Sequence, residues 1–493
     1  MRVSIRTGLV AAVALAVAAA PAVAAPVIAS PNGQGSTIGA PGAGDPFFPL
    51  AGNGGINVLD YGLDLAYDPA SRNLRGTATL RVLATQDLSR FDLDLRGFQV
   101  GKVAVNGLTA SARRDGQELV ITPQRLIRKG SAFTVVVSYA GTPETVIDPD
   151  GSSEGWVYTD DGAVVVGEPQ GSPAWYPAND TPRDKATYTV RMTVPKGLTA
   201  VGNGALQHQS TRDGRTTFTW RERYPMSPYL STITLGKFDV STGRTASGVP
   251  LYVAIDPTQQ PDASAVMAKV PAMVSFLEDL YGRYPFETVG GIVDNAPGLG
   301  YSLETQTKPV YDAAPDEETV LHELAHMWFG DAVTLKTWPD IWLNEGFATW
   351  SEWIWNERTG GQTAAQRFAQ LASTPADRLT FWNPPPGDPG EPALMFDSTI
   401  YNRGAMTLQA LRERIGDERF FTVMRRWYAE HRYGNVSTPQ FIALAEHVSG
   451  QDLGAFFDTW LYQPGKPTVL GNLTGLAKAA APGTAAPDTT ARR

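Results

Sequence analysis

The chain has 493 residues, room for two or three domains, and 42% of them are apolar, enough for a sizeable core. Its formal net charge is −9 and it has no basic tract, which argues against a nucleic-acid partner. Cysteine is absent, so any metal must be held by histidines and carboxylates.

Residues 1–24 read as an export signal. Arg2 and Arg6 give a positive start, residues 8–20 an apolar alanine-rich run, and Ala22-Val23-Ala24 the small residues that a signal peptidase accepts. The run is short for a spanning helix and is followed by Pro21, so a secreted or extracytoplasmic protein of bacterial export is expected, without stable membrane insertion after cleavage. Residues 25–50 are rich in Gly, Pro, Ala and Ser and read as a flexible leader.

From 51 to 245 the pattern is β. Phe91, Leu93 and Leu95 alternate with Asp92 and Asp94, and residues 133–139 and 188–194 continue the style. Asn106-Gly107, Asp115-Gly116 and Asp213-Gly214 are turn signals. Many short strands with regular turns predict a β-sandwich-like domain. From 246 to 468 the period becomes helical. Helices are expected over 265–281, 316–330, 341–357, 400–415, 417–431, 438–448 and 452–462, with a Pro- and Gly-rich loop at 383–392. Residues 469–493 read as a disordered tail.

The chemistry concentrates in one stretch. His322 and His326 are four apart, which on a helix stacks both imidazoles on one face, where they can meet one metal. Glu323 stands beside them, placed to reach a metal-bound water. Separated from His326 by eighteen residues, Glu345 opens a second helical pattern and supplies a third ligand. Two histidines and one glutamate leave a fourth position open, the arrangement of a catalytic zinc site with a single ion. Glu352, seven residues after Glu345 and on the same face, is placed to orient a ligand histidine.

At these residues, HELAHMWFGD followed by WLNEGFATW, the sequence resembles the gluzincin aminopeptidases, the family of aminopeptidase N and leukotriene hydrolase. The likeness runs from about residue 55 to 468. It implies a β-rich N-terminal domain followed by a mostly helical, thermolysin-like catalytic domain, an α+β multidomain chain. It also implies peptide substrates and further site residues. Tyr401-Asn402-Arg403-Gly404 fits the family's context for a tyrosine that stabilises the transition state. The family's Gly-x-Met-Glu-Asn strand, whose Glu binds the substrate amine, is matched best by Tyr301-Ser302-Leu303-Glu304-Thr305, with Leu for Met and Thr for Asn. Gly291-Ile292-Val293-Asp294-Asn295 is a rival with Asp for Glu. Glu168, nine residues before Pro177, matches a second amine anchor, although Pro173 stands where an Arg is common.

The resemblance therefore implies a zinc-dependent aminopeptidase. Three other readings use the same residues: a thermolysin-type zinc endopeptidase, a non-catalytic exported binding protein, and hydrolysis of a non-peptide such as an epoxide. Loss of Glu323 or Tyr401 would have favoured the binding protein, and both are present. The chain ends soon after 467, without room for the long helical C-terminal domain of the larger members, which predicts a more open site. No pattern in the sequence bears on side-chain preference or oligomeric state.

Overall fold

The computed structural model describes residues 37–467. The export signal, the first part of the leader and the 469–493 tail lie outside the described residues.

Alternation builds the first half. Ile56–Asp68 and Asn73–Ala84 bury every second residue and pair antiparallel along their length, with Tyr61 opposite Leu80 and Leu63 opposite Ala78. They lie at the centre of an eight-stranded sheet, flanked on one side by Ala186–Pro195 and on the other by Ala132–Gly141. Asn106-Gly107 and Asp213-Gly214 form its tight turns, all four residues at φ between 50° and 77°, the left-handed region that such hairpins need. A five-stranded sheet contains Thr199–Gly202, Ile233–Gly236 and Ala163–Val166. All four residues of Ala163–Val166 are buried, and the strand delivers Glu168 just past its end.

The leader differs from expectation. Within residues 37–50, Gly39, Asp45 and Phe48 are buried and anchor an otherwise largely exposed stretch. Asp45 is buried and accepts hydrogen bonds from the backbone N–H groups of Phe47, Phe48 and, far along the chain, Trp338. Phe48 meets the Trp338 ring edge-on at 6.3 Å. Two aromatic residues and one acid anchor a stretch whose Gly and Pro content had signalled flexibility.

The second half begins with strand, not helix. Asp239–Arg244 pairs with Pro250–Ile255, which runs parallel to Val289–Val293, and that strand runs parallel to Val310–Tyr311; Ser302–Leu303 closes the edge. The β-structure of this sheet thus crosses residue 245. The helix expected over 265–281 is divided into Asp262–Met267 and Val270–Tyr281. Pro271 explains the break: lacking an N–H, it is tolerated only in a first turn. The helix expected over 316–330 stops at His326. A further helix, Ala364–Ala372, starts at a Thr363–Gln366 capping box.

Two helices approach unusually closely. A Cβ on Gly404, in the Ser398–Ile415 helix, would fall 2.9 Å from the Cα of Gly346, in the Trp342–Arg358 helix. Absence of both side chains brings the segment carrying Tyr401 against the one carrying Glu345. No helix among the described residues is long and apolar enough to cross a membrane.

Candidate active site

The Glu317–His326 helix is capped by Asp316, whose side chain accepts from the Thr319 N–H at 2.8 Å. Its inner face presents His322 and His326, ring centroids 4.7 Å apart. Glu345 arrives from the first turn of the Trp342–Arg358 helix, its Oε2 3.2 Å from His322 Nε2 and 3.5 Å from His326 Nε2. Zinc bonds of about 2.0–2.1 Å at tetrahedral angles separate neighbouring ligand atoms by about 3.4 Å. The three side chains therefore have the spacing and the chemistry to hold one zinc ion.

The remaining ring nitrogens strengthen this fit. His322 Nδ1 lies 2.5 Å from Glu352 Oε1, and His326 Nδ1 lies 3.0 Å from the Phe329 carbonyl oxygen. An acceptor at each Nδ1 favours the tautomer that offers Nε2 to a metal. The cluster's field also favours positive charge. Burial alone would raise the Glu345 carboxyl, yet His326 and His322 hold it down at about 2. Burial would lower His326, but the carboxylates of Glu345 and Glu304 overcome this and raise it to about 9.

Glu323 is buried beside the two histidines and lines the same cavity. Burial pushes its carboxyl up to about 8, against the pull of His322 and His326. The Tyr401 ring stacks on His322, centroids 6.0 Å apart and planes at 25°. Burial raises its phenol well above the usual value, so the hydroxyl stays protonated and able to donate. Two residues on, Arg403 is buried and donates to the carbonyl oxygens of Trp382, Thr459, Trp460, Gln463 and Gly465. This ties the C-terminal segment down behind Tyr401.

Glu168 and Glu304 converge from opposite halves of the chain. Their carboxylate oxygens and one from Glu345 lie within 4.8 Å of one another. Both are buried, and the Oε1 of each has no hydrogen-bond partner. Burial first, and then Glu304 and Glu345, drive the Glu168 carboxyl well above the usual range. The rival position Asp294 is placed elsewhere: it accepts from the Asn295 N–H and does not line the cavity.

All eight residues singled out from the sequence line one cavity of about 880 Å³. Sequence reasoning missed others on its wall. Asp150, Leu299, Tyr301, Asp312 and Phe396 reach it from loops or the ends of short strands, where no periodic signal marks them.

Comparison with known proteins places this geometry. Residues 57–230 match the Peptidase M1 N-terminal domain and residues 302–460 the Peptidase family M1 domain. An M1 zinc metallopeptidase from Deinococcus radiodurans is 31% identical in sequence; the two structures superpose with a TM-score of 0.78 over 86% of this chain and 99% of that one. The chain belongs to the M1 family of zinc metallopeptidases. Glutamyl aminopeptidase of Bos taurus is 29% identical over 339 residues, 62% of this chain and 34% of that one. Aminopeptidase M1 of Arabidopsis thaliana is 29% identical over 334 residues, 62% of this chain and 37% of that one. The chain thus matches only about a third of the length of these relatives.

Proposed function

We propose that this chain is a zinc-dependent aminopeptidase that hydrolyses the first peptide bond of peptides with a free amino terminus. The observation that carries the reading is the buried pair Glu168 and Glu304, each with an unpartnered oxygen, within 4.8 Å of a carboxylate oxygen of Glu345. Crowding carboxylates out of water is costly unless a cation joins them. A substrate α-ammonium group is such a cation, and it resides only at a chain end. Held there, it sets the register so that one peptide bond reaches the histidines.

His322, His326 and Glu345 would hold the metal. Bound there, zinc supplies Lewis acidity that polarises the scissile carbonyl and acidifies a water. Glu323 takes the proton from the attacking water and passes it to the leaving nitrogen. The Tyr401 hydroxyl donates a hydrogen bond to the carbonyl oxygen as charge develops on it. Glu352 and the Phe329 carbonyl oxygen keep the two imidazoles in the tautomer that offers Nε2. The similar Deinococcus radiodurans metallopeptidase has been crystallised, as a mutant, with a Tyr-Ser-Ala substrate, in keeping with a short peptide as ligand.

Glu304→Gln tests the amine anchor. Removing one partner of a buried ion pair costs roughly 2–5 kcal/mol, so KM for a free-amine peptide should rise on the order of a hundredfold. Zinc content should stay at the level of the unmodified chain. An unchanged KM would remove Glu304 from the amine site.

A further inference from the structure

We infer that Thr307 is a positioning residue whose hydroxyl locks Glu304 against Glu168 across the seam between the β-rich half and the catalytic half. The inference rests on the reading of Glu304 as an amine anchor.

Glu304 is followed by Thr305, Gln306, Thr307 and Lys308, all four with 0% exposure. They form a tight turn. The Lys308 N–H donates to the Thr305 carbonyl oxygen at 3.0 Å, and the Thr305 hydroxyl donates to the Lys308 carbonyl oxygen at 2.5 Å. Thr307 occupies the third position of that turn at φ 72°, a backbone conformation suited to glycine and strained for a β-branched residue. Such strain persists only where surrounding contacts over-determine it.

Those contacts all reach into the other half of the chain or to the zinc-ligand segment. Thr307 Oγ1 accepts from the Gly204 N–H at 2.8 Å, and Lys308 Nζ donates to the Gly204 carbonyl oxygen. Both backbone groups of Gly204 are thereby engaged. Gly204 is itself fixed: its φ is 72°, and a Cβ there would fall 1.9 Å from the Arg221 carbonyl oxygen. Asn203 Nδ2 donates to the carbonyl oxygens of Gln306 and Leu230, at 2.8 and 2.9 Å, and the Gln306 N–H donates to Leu230 as well. The Thr307 N–H points at Met327 Sδ, 3.3 Å away and one residue beyond His326.

The far end of this lock abuts Glu168. Leu230 follows Tyr229, whose carbonyl oxygen would lie 2.9 Å from a Cβ on Gly167, the residue before Glu168. A continuous buried path thus joins the two amine-binding carboxylates: Glu304, the turn, Leu230, Tyr229, Gly167, Glu168. Glycine at 307 would relieve the strain, but it would leave the buried Gly204 N–H without its acceptor. The threonine keeps the strained backbone and supplies the bond that spans the seam.

The test compares Thr307→Gly, Thr307→Ser and Thr307→Val with Glu304→Gln in the full chain. The readouts are kcat and KM on an aminoacyl anilide, zinc content and Tm. Thr307→Gly is expected to fold and bind zinc normally, with KM raised on the order of tenfold and kcat nearly unchanged, as a misplaced binding group predicts. Thr307→Ser, which keeps the hydroxyl, should match the unmodified chain. Should Thr307→Gly fail to fold, Thr307→Val keeps the shape without the acceptor and should show the same KM rise. An unchanged KM in a folded Thr307→Gly or Thr307→Val chain overturns the inference, as does equal impairment of Thr307→Ser and Thr307→Val. If Glu304→Gln raises KM while those variants do not, only the lock is lost. If Glu304→Gln has no effect, the amine anchor itself falls, and the inference with it.

Discussion

Replacing Glu323 by Gln is expected to lower kcat by about three orders of magnitude, within the range that a positioned general base contributes, while the protein still folds and binds zinc. The amide keeps the shape and burial of the carboxylate but cannot accept a proton at the moment of attack. The ligand set is not touched, because His322, His326 and Glu345 meet around Glu345 Oε2 without Glu323. A carboxylate oxygen of Glu323 lies within 4.8 Å of ligand atoms of His326 and Glu304, so the proposed base is close to both a proposed metal ligand and the proposed amine anchor. That is where the first peptide bond must lie if the α-ammonium group sits between Glu168 and Glu304. Steady-state kinetics with metal analysis by atomic absorption would check this. Turnover within tenfold of the unmodified chain would sink the assignment.

Tyr401→Phe is expected to lower kcat by about 10²–10³-fold with little change in KM, the effect of losing one oxyanion donor. Phenylalanine preserves the ring that stacks on His322, so the variant isolates the hydroxyl. Among the described residues that hydroxyl makes no hydrogen bond. Its donor capacity is free for a ligand, and its loss leaves no protein group unpaired. The ring is held firmly from behind. Gly404 lets its helix close on Gly346, and Arg403 donates to the carbonyl oxygen of Trp382 and to four more between residues 459 and 465. A donor fixed this way loses little entropy when charge develops opposite it. An unchanged kcat would assign the tyrosine to packing alone.

What could be read from the sequence follows from periodicity. His322, His326, Glu345 and Glu352 lie on two helices, where a spacing of four or seven residues fixes the face, so their meeting was legible. Paired turn residues such as Asn106-Gly107 were legible for the same local reason. Glu304 and its rival Asp294 could not be separated this way, because both stand at the ends of short buried strands with no period to read. Only the tertiary arrangement puts one on the cavity wall and the other outside it. The anchoring of residues 37–50 was hidden because Asp45 finds its distant partner, the Trp338 N–H, 293 positions along the chain. Arg403 was noticed for its motif, but its physical role emerges only from carbonyl groups brought to it by folding.

The central claim is that buried carboxylates restrict a zinc peptidase site to free chain ends. It is tested most directly by presenting pairs of short peptides, each with a free and an acetylated amino terminus, with and without a zinc chelator. Release of the first amino acid from the free forms alone, abolished by the chelator, is the predicted result; cleavage of the acetylated forms at comparable rates would contradict it and make the same metal site that of an endopeptidase.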